Sequence, residues 1–270
     1  MRPYYRVIGL IAEEQSNGQG SALGDNGGVG EKNYSAYNGM SEPTYPNGNG
    51  GGSRWPRLFD LGLEEGIYYK IFNLGVGSSS IFHWTGRVNA TVTGGDAATP
   101  LAAFNMSGRG ITGGGAVARE GDVGFGPFGF LQRARLIIQQ WPQIPEWISC
   151  YSNAESDGAA TAADYQAGHE VIADYMLASG VDAHFCGLSS SGNNTDPNML
   201  KLQGAYRAAI ASRQAQGKPV YQGGDLYDIP GLAGQLYEES LARGTRVHLT
   251  MRGQDKASPA WRAAFRAAGF

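Results

Sequence analysis

Four residues whose types suit acyl-transfer chemistry follow predicted strands or precede the last predicted helix. Ser16 follows the first strand and can act as a nucleophile, and His248 can remove its proton. Gly77 follows the second strand, where the missing side chain lets a backbone N–H approach a substrate closely. Asn153 follows the third strand, and its amide can donate to an oxyanion. Each residue alone is more often structural, but their joint order favours ester hydrolysis by a serine.

The hydrophobic pattern predicts the strands that must position these residues. Residues 5–12 form a largely apolar run, typical of a strand covered on both faces. The other predicted strands are 67–74, 147–152, 182–188 and a short strand from Val220. A serine at the carboxyl end of a central strand lies where open α/β sheets bind ligands.

Helical periodicity separates the later strands. It predicts helices over 130–141, 165–179 and 202–213, ended by Pro142, Gly180 and Gly217. Ser258 and Pro259 are an N-cap and first-turn pair for a last helix through Ala268. Strands alternating with helices indicate one α/β domain over residues 1–270. We expect a three-layer α/β/α, flavodoxin-like fold with a five-stranded, mainly parallel sheet.

Two segments of the first half, 21–56 and 87–126, are predicted to be long glycine-rich loop insertions. The 270-residue chain has 42 glycines, and the first segment is too poor in apolar residues to form its own core. Four aromatic side chains there have flat faces on which sugar rings can stack: Tyr34, Tyr37, Tyr45 and Trp55. An ordered loop with incidental aromatic residues is the simpler interpretation.

Composition argues against several classes of partner. The net charge of −3 and a pI near 5.8, without a basic cluster, do not suit nucleic-acid binding. No apolar run approaches the roughly 20 residues that span a bilayer, and residues 1–4 do not open a signal peptide. We therefore expect no membrane segment, and a protein that is cytoplasmic or part of a larger assembly such as a virion or an appendage.

The metal-ligating residue types are too dispersed to predict a metal site. His83, His169, His184 and His248 lie far apart, without the spacing that holds zinc, and no cofactor is implied. Cys150 and Cys186 fall in apolar strand-like segments, which favours two buried thiols over a single bridge between neighbouring strands.

Four sequence blocks resemble the SGNH (GDSL-like) hydrolases, in particular their carbohydrate O-acetylesterase branch related to sialate O-acetylesterases. Residues 14–17 (Glu-Gln-Ser-Asn) match three of the four positions of that branch's Gly-Gln-Ser-Asn motif. Residues 76–81, followed by Trp84, are similar to its Gly-Gly-Thr/Ser turn. Trp147 with residues 153–157 resembles Trp followed by Gln-Gly-Glu-Ser-Asp, and residues 245–249 resemble Asp-Gly-Ile-His-Leu.

The resemblance implies a role for each matching residue. It makes Ser16 the nucleophile and His248 the base. The amides of Ser16 and Gly77, with the Asn153 side chain, form the oxyanion hole. Glu155, Ser156 and Asp157 match the third motif and are expected to hold that loop.

One position departs from the family in a way that bears on activity. Thr245 stands where the family has the aspartate that orients the histidine. Losing that carboxylate costs up to about 10⁴ in rate in the well-studied triad. Glu155, Asp225 or Asp228 can replace it, a Ser-His dyad can act alone, or catalysis has been lost.

The residues and the resemblance together predict a serine esterase that removes O-acetyl groups from a carbohydrate through an acetyl-enzyme. An esterase acting on another acyl ester is an alternative. The competing class is a carbohydrate-binding or structural module on the same fold, with catalysis weakened or lost.

Overall fold

The computed structural model describes residues 5–14, 55–74, 81, 84, 129–152, 157, 160–188, 197–225 and 251–270. Within these ranges the strands are β1 (Arg6–Glu14), β2 (Ile67–Asn73), β3 (Glu146–Ser152), β4 (Ala183–Leu188) and β5 (Val220–Asp225). The helices are α1 (Trp55–Glu64), α2 (Gly129–Gln140), α3 (Ala162–Ala178), α4 (Pro197–Gln214) and α5 (Met251–Ala267). No helix in the described part is long and apolar enough to cross a membrane.

The strands form one sheet in the order β2-β1-β3-β4-β5, and every pair of neighbours is parallel. This is the flavodoxin-like order, so the predicted fold class is confirmed. β2 lies on one side of β1, and β3, β4 and β5 follow one another on the other side. The topological switch point therefore lies between β1 and β3, where open α/β sheets bind their ligands.

Helices cover both faces of the sheet, which gives three layers. Alternate residues of β1 enter two separate cores: Ile8 and Leu10 join the core beneath α1 and α5, and Ile11 joins the core beneath α2, α3 and α4. Because both faces are buried, β1 reads as a continuous apolar run rather than an alternating one. The same arrangement buries Cys150 and Cys186 as free thiols, as predicted.

Backbone geometry confirms the predicted carboxyl-terminal ends of α3 and α4, and a side-chain cap that was not predicted fixes the start of α3. The Oγ1 of Thr161 accepts a hydrogen bond from the backbone N–H of Asp164 at 3.0 Å and caps the start of α3. Gly180 follows α3 with φ of 106°, and Gly217 follows α4 with φ of 72°. Glycine adopts this left-handed conformation without the penalty of a Cβ, so both helices stop there.

The predicted start of the last helix is wrong. Ser258 and Pro259 lie inside α5, which begins at Met251. An interior proline lacks the N–H that would bond to the preceding turn. The helix nevertheless continues through this position because Ala257, Trp261 and Phe265 form a fully buried stripe against the sheet.

The interpretation of Trp55 as a loop residue with a face for sugar stacking is also wrong. Trp55 begins α1, is fully buried, and packs its ring against that of Trp261 at a centroid distance of 6.1 Å. The predicted loop 21–56 overlaps α1 at its last two residues. Residues 21–54 and 87–126 lie outside the described residues, and the extent of a single domain over the whole chain stays a prediction.

Candidate functional site

The carboxyl ends of β2, β1 and β3 lie side by side at one edge of the sheet. Ala12 pairs with Asn73 of β2, and Glu14 pairs with Ser152 of β3. β1 is thus the middle strand of the three, and it ends level with β3 and two residues beyond β2. The carboxyl ends of the three strands are therefore adjacent.

Three of the predicted site residues follow these strand ends in the chain. Ser16 comes two residues after β1, Asn153 directly after β3, and Gly77 four residues after β2. All three lie outside the described residues, so their roles stay predictions. The strand order shows only that the three strands preceding them are neighbours in the sheet.

α5 begins at the same edge of the sheet. The indole of Trp261 packs over Gly224, near the carboxyl end of β5. At the far end of α5, the carbonyl oxygen of Gly269 accepts a hydrogen bond from Arg6 Nη1 at 2.6 Å, at the amino end of β1. The helix therefore runs from the carboxyl edge to the amino edge. His248, outside the described residues, precedes the first residue of α5 by three positions.

A buried carboxyl group, that of Glu13, lies at the carboxyl end of β1, three residues before the predicted nucleophile Ser16. Glu13 is fully buried, and among the described residues neither of its carboxyl oxygens has a hydrogen-bond partner. Burial raises the pKa of Glu13 well above its ordinary value, because a carboxylate without donors is poorly solvated there. The sequence assigned no role to Glu13. Ile11 and Glu13 are two residues apart in a strand and therefore lie on the same face of the sheet. Because Ile11 faces a core, this spacing indicates that Glu13 points inward.

Asp157 links the end of β3 to the segment that follows β2. Its Oδ1 accepts a hydrogen bond from the backbone N–H of Ile81 at 2.9 Å, and both residues are buried. Burial raises the pKa of Asp157 to about 7, and the bond from Ile81 opposes this shift in part. Asp157 was expected to hold its loop, and the backbone N–H of Ile81 is the group that it binds. Glu155 and Ser156 lie outside the described residues.

Asp225, one of the candidate acids, is bound at the carboxyl end of β5. Its Oδ2 accepts hydrogen bonds from Gln203 Nε2 at 2.9 Å and Tyr206 Oη at 2.5 Å. Arg207 of α4 lies 3.1 Å from the same oxygen and forms an ion pair with it. These donors tie the carboxylate to α4.

The remaining candidate acids, Glu155 and Asp228, lie outside the described residues, as does Thr245.

Two other histidines are part of the core beneath α3 and α4. His169 and His184 are fully buried, and burial lowers the pKa of each to about 3. The His184 Nδ1 is 2.7 Å from Ser149 Oγ, and the ring of His169 contacts Tyr151, Tyr165 and Tyr206. Both imidazoles are neutral and structural. No group of three His, Cys, Asp or Glu in the described ranges is placed to hold a metal ion.

Comparisons with known proteins give only distant likenesses. No protein-family model matches the chain, and no curated protein matches it. Among solved structures, a variant of the acetyl-xylooligosaccharide esterase Axe2 from Geobacillus aligns over 100% of this chain and 97% of its own, with 12% identity and a TM-score of 0.47. A member of the lipolytic protein G-D-S-L family from Veillonella parvula aligns over 96% and 98%, with 12% identity and a TM-score of 0.46. At scores this low, the fold assignment rests on this chain's own strand order.

Proposed function

We propose that this protein is an SGNH (GDSL-like) serine esterase that removes O-acetyl groups from a carbohydrate. The observation that carries the proposal is the order β2-β1-β3, with Gly77, Ser16 and Asn153 following the adjacent carboxyl ends of these three strands. This order supports the proposal because open α/β sheets bind ligands beside such strand ends. The four sequence blocks that resemble this family supply the chemistry expected there.

In the proposed reaction, the Ser16 hydroxyl attacks the acetyl carbonyl while His248 takes its proton. The oxyanion that forms is bound by the amides of Ser16 and Gly77 and by the Asn153 side chain. The sugar oxygen leaves with the proton from His248, and an acetyl-enzyme remains. Water, activated by His248, then releases acetate.

The orienting group for His248 is the open part of the mechanism. With Thr245 in place of the family's aspartate, either Glu155, Asp225 or Asp228 supports the imidazole, or Ser16 and His248 act as a dyad. A carboxylate holds the histidine in the right tautomer and stabilises the charge that develops on it. A dyad is therefore expected to be slower than a triad.

An acetylated carbohydrate is favoured over a lipid ester for two reasons. The blocks that resemble the family match its carbohydrate branch, and no continuous apolar run near them would hold a long acyl chain. Tyr34, Tyr37 and Tyr45 offer rings for sugar stacking. Hydrolysis of acetate esters is expected to exceed that of long-chain esters of the same alcohol by at least about tenfold.

The first experiment measures hydrolysis of an aryl acetate by the purified protein and by Ser16→Ala. The variant is expected to lose at least about 10³ in kcat, because the nucleophile is removed. Ser21→Ala, in the same glycine-rich stretch, is the matched control and should keep wild-type activity. Unchanged activity in Ser16→Ala would exclude the assignment.

The substitution at Thr245 specifically favours one second candidate, a glycan-binding module that has lost catalysis. A fluorophosphonate separates the two, since it labels only an activated serine. Labelling of the wild type but not of Ser16→Ala supports the esterase. An unlabelled wild-type protein that still binds a glycan supports the module.

A further inference from the structure

The hydrogen bond between Asp157 and Ile81 joins two segments that are far apart in the chain. Asp157 follows β3 by five residues, and Ile81 follows β2 by eight. The Oδ1 of Asp157 accepts the Ile81 N–H at 2.9 Å, and the two residues are exposed by 1% and 0%. A buried backbone N–H without an acceptor is costly, so this bond holds the two segments at one separation.

Ile81 is also held from the other side by α3. A Cβ added at Gly168 would lie 2.5 Å from both Cγ1 and Cδ1 of Ile81, so the isoleucine occupies the space left by the missing side chain. Three residues further on, the ring of Trp84 meets that of Tyr151 of β3 edge to face at 5.8 Å. Ile81 thus packs against α3, and Trp84 packs against β3.

This docking has a consequence for the proposed reaction, on which the present inference rests. Gly77 lies four residues before Ile81, and Asn153 lies four residues before Asp157. The two proposed oxyanion donors other than the Ser16 amide therefore belong, in the sequence, to the two segments that the Asp157–Ile81 bond connects. We propose that Asp157 is a positioning residue that sets the separation between the Gly77 amide and the Asn153 side chain.

The test compares Asp157→Ala with wild type in kcat and KM for an aryl acetate. Removing the acceptor lets the segment after β2 shift, and misplacing an oxyanion donor by about 1 Å can cost about 10²-fold. Because oxyanion donors act mainly in the transition state, kcat should fall by about 10- to 100-fold while KM changes little. Asp157→Asn keeps an oxygen that can accept the Ile81 N–H, so it should restore most of kcat.

Asp182 offers a matched control at the opposite edge of the sheet. Its Oδ2 accepts the backbone N–H of Trp147 at 2.8 Å, at the amino end of β3. Asp182→Ala also removes a carboxylate that binds a backbone N–H, but far from the proposed site. Its kcat should equal that of the wild type.

A second variant tests the same docking without changing Asp157. Gly168→Ala places a methyl group against Ile81 and should lower kcat. Gly204→Ala in α4 is its control, since nothing lies within 4 Å of the added Cβ. If Asp157→Ala does not fold, this pair decides the question. Wild-type kcat in a folded Gly168→Ala would then overturn the inference.

Hydrogen exchange at the Ile81 amide separates this inference from the proposed function. Exchange should be slow in the wild type and in Asp182→Ala, and faster in Asp157→Ala. Faster exchange with kcat unchanged in Asp157→Ala would overturn the positioning role alone. A loss of kcat in Asp182→Ala as large as that in Asp157→Ala would also overturn the positioning role alone. An inert wild-type protein would overturn the proposed esterase, and this role with it.

Discussion

Two buried carboxyl groups near the carboxyl edge of the sheet differ in what surrounds them. Asp225 receives three donors, including the guanidinium of Arg207, and its side chain is 2% exposed. Glu13 is fully buried and lacks a hydrogen-bond partner within the described ranges. A buried carboxylate needs such donors to remain charged, so Asp225 is stabilised in its charged form, whereas burial raises the pKa of Glu13.

Replacing Asp225 should therefore lower the stability of the fold, whether or not it changes activity. Asp225→Asn weakens the bonds from Tyr206 and Arg207 and should lower the free energy of unfolding by about 1–3 kcal/mol. Denaturation in urea measures the change. Glu64→Gln, which removes the exposed ion pair with Arg57, is the control and should change stability by less than about 0.5 kcal/mol.

The same variant addresses the open question about His248. A fall in kcat of about 10⁴ in Asp225→Asn would assign Asp225 as the orienting acid. An unchanged kcat would exclude Asp225, so that either Glu155 or Asp228 orients His248 or Ser16 and His248 act as a dyad.

At the scale of the elements, β1 is shaped to accept a large ring from its neighbour. Gly9 and Trp147 pair across β1 and β3, and a Cβ at Gly9 would overlap the six-membered ring of Trp147. The ring in turn packs against Phe72 of β2 at 5.6 Å. One glycine thus lets an aromatic side chain lie across the central strand. The Gly9 position supports the sheet whose edge carries the proposed site.

Gly9→Ala is expected to destabilise the protein by about 1–3 kcal/mol, the usual cost of forcing extra volume into a packed core. Gly204→Ala should instead stabilise it by about 0.5–1 kcal/mol, because alanine favours the helix and nothing opposes the added methyl group. Thermal or urea unfolding of the two variants measures the change in unfolding free energy and shows whether it has the expected sign in each. Destabilisation of equal size in both would contradict the role of Gly9.

Several elements were predictable from the sequence because their signals are local. The strands and the helices α2, α3 and α4 carry clear periodicity and glycine or proline ends, and all were found close to the predicted residues. α1 was missed because Trp55 and Pro56 end a glycine-rich stretch that resembles a loop. The start of α5 was wrong because Ser-Pro is a good helix start in isolation. In both cases tertiary burial of tryptophan overrides the local signal.

At the scale of the whole molecule, four buried groups change their protonation on unfolding, and they act in opposite directions. Burial raises the pKa of Glu13 and Asp157 and lowers the pKa of His169 and His184. Between about pH 5 and pH 6 the native state holds a proton on Asp157, and the unfolded state holds protons on the two histidines. The acids and the histidines therefore change the pH dependence of stability in opposite directions.

Single substitutions should reveal each contribution. The histidines stabilise the native state above an unfolded pKa near 6.5, and this stability is lost as pH falls toward 3. Glu13 stabilises below an unfolded pKa near 4.5, and its contribution is lost as pH rises through the folded pKa. The slope of unfolding free energy against pH should fall by about 1.4 kcal/mol per pH unit in His169→Phe and should rise in Glu13→Gln.

Urea titrations at about pH 5, 5.5 and 6 measure these slopes, and comparing slopes removes any constant loss of packing. Glu170→Gln is not suitable as a control, since Arg213 forms an ion pair with Glu170. Glu64→Gln at the surface is suitable and should leave the slope unchanged. A wild-type slope in His169→Phe would contradict a neutral buried imidazole.

The sequence by itself determined the alternation of strands and helices, the parallel sheet, and the positions of the motif residues just beyond strand ends. These follow from periodicity and turn residues, which act over a few neighbours in the chain. Only the tertiary structure decided that Asp157 binds Ile81, that Asp225 is bound to α4, and that Trp55 is buried. Each of these depends on contacts between distant segments, and no local pattern specifies which partner a buried group will meet.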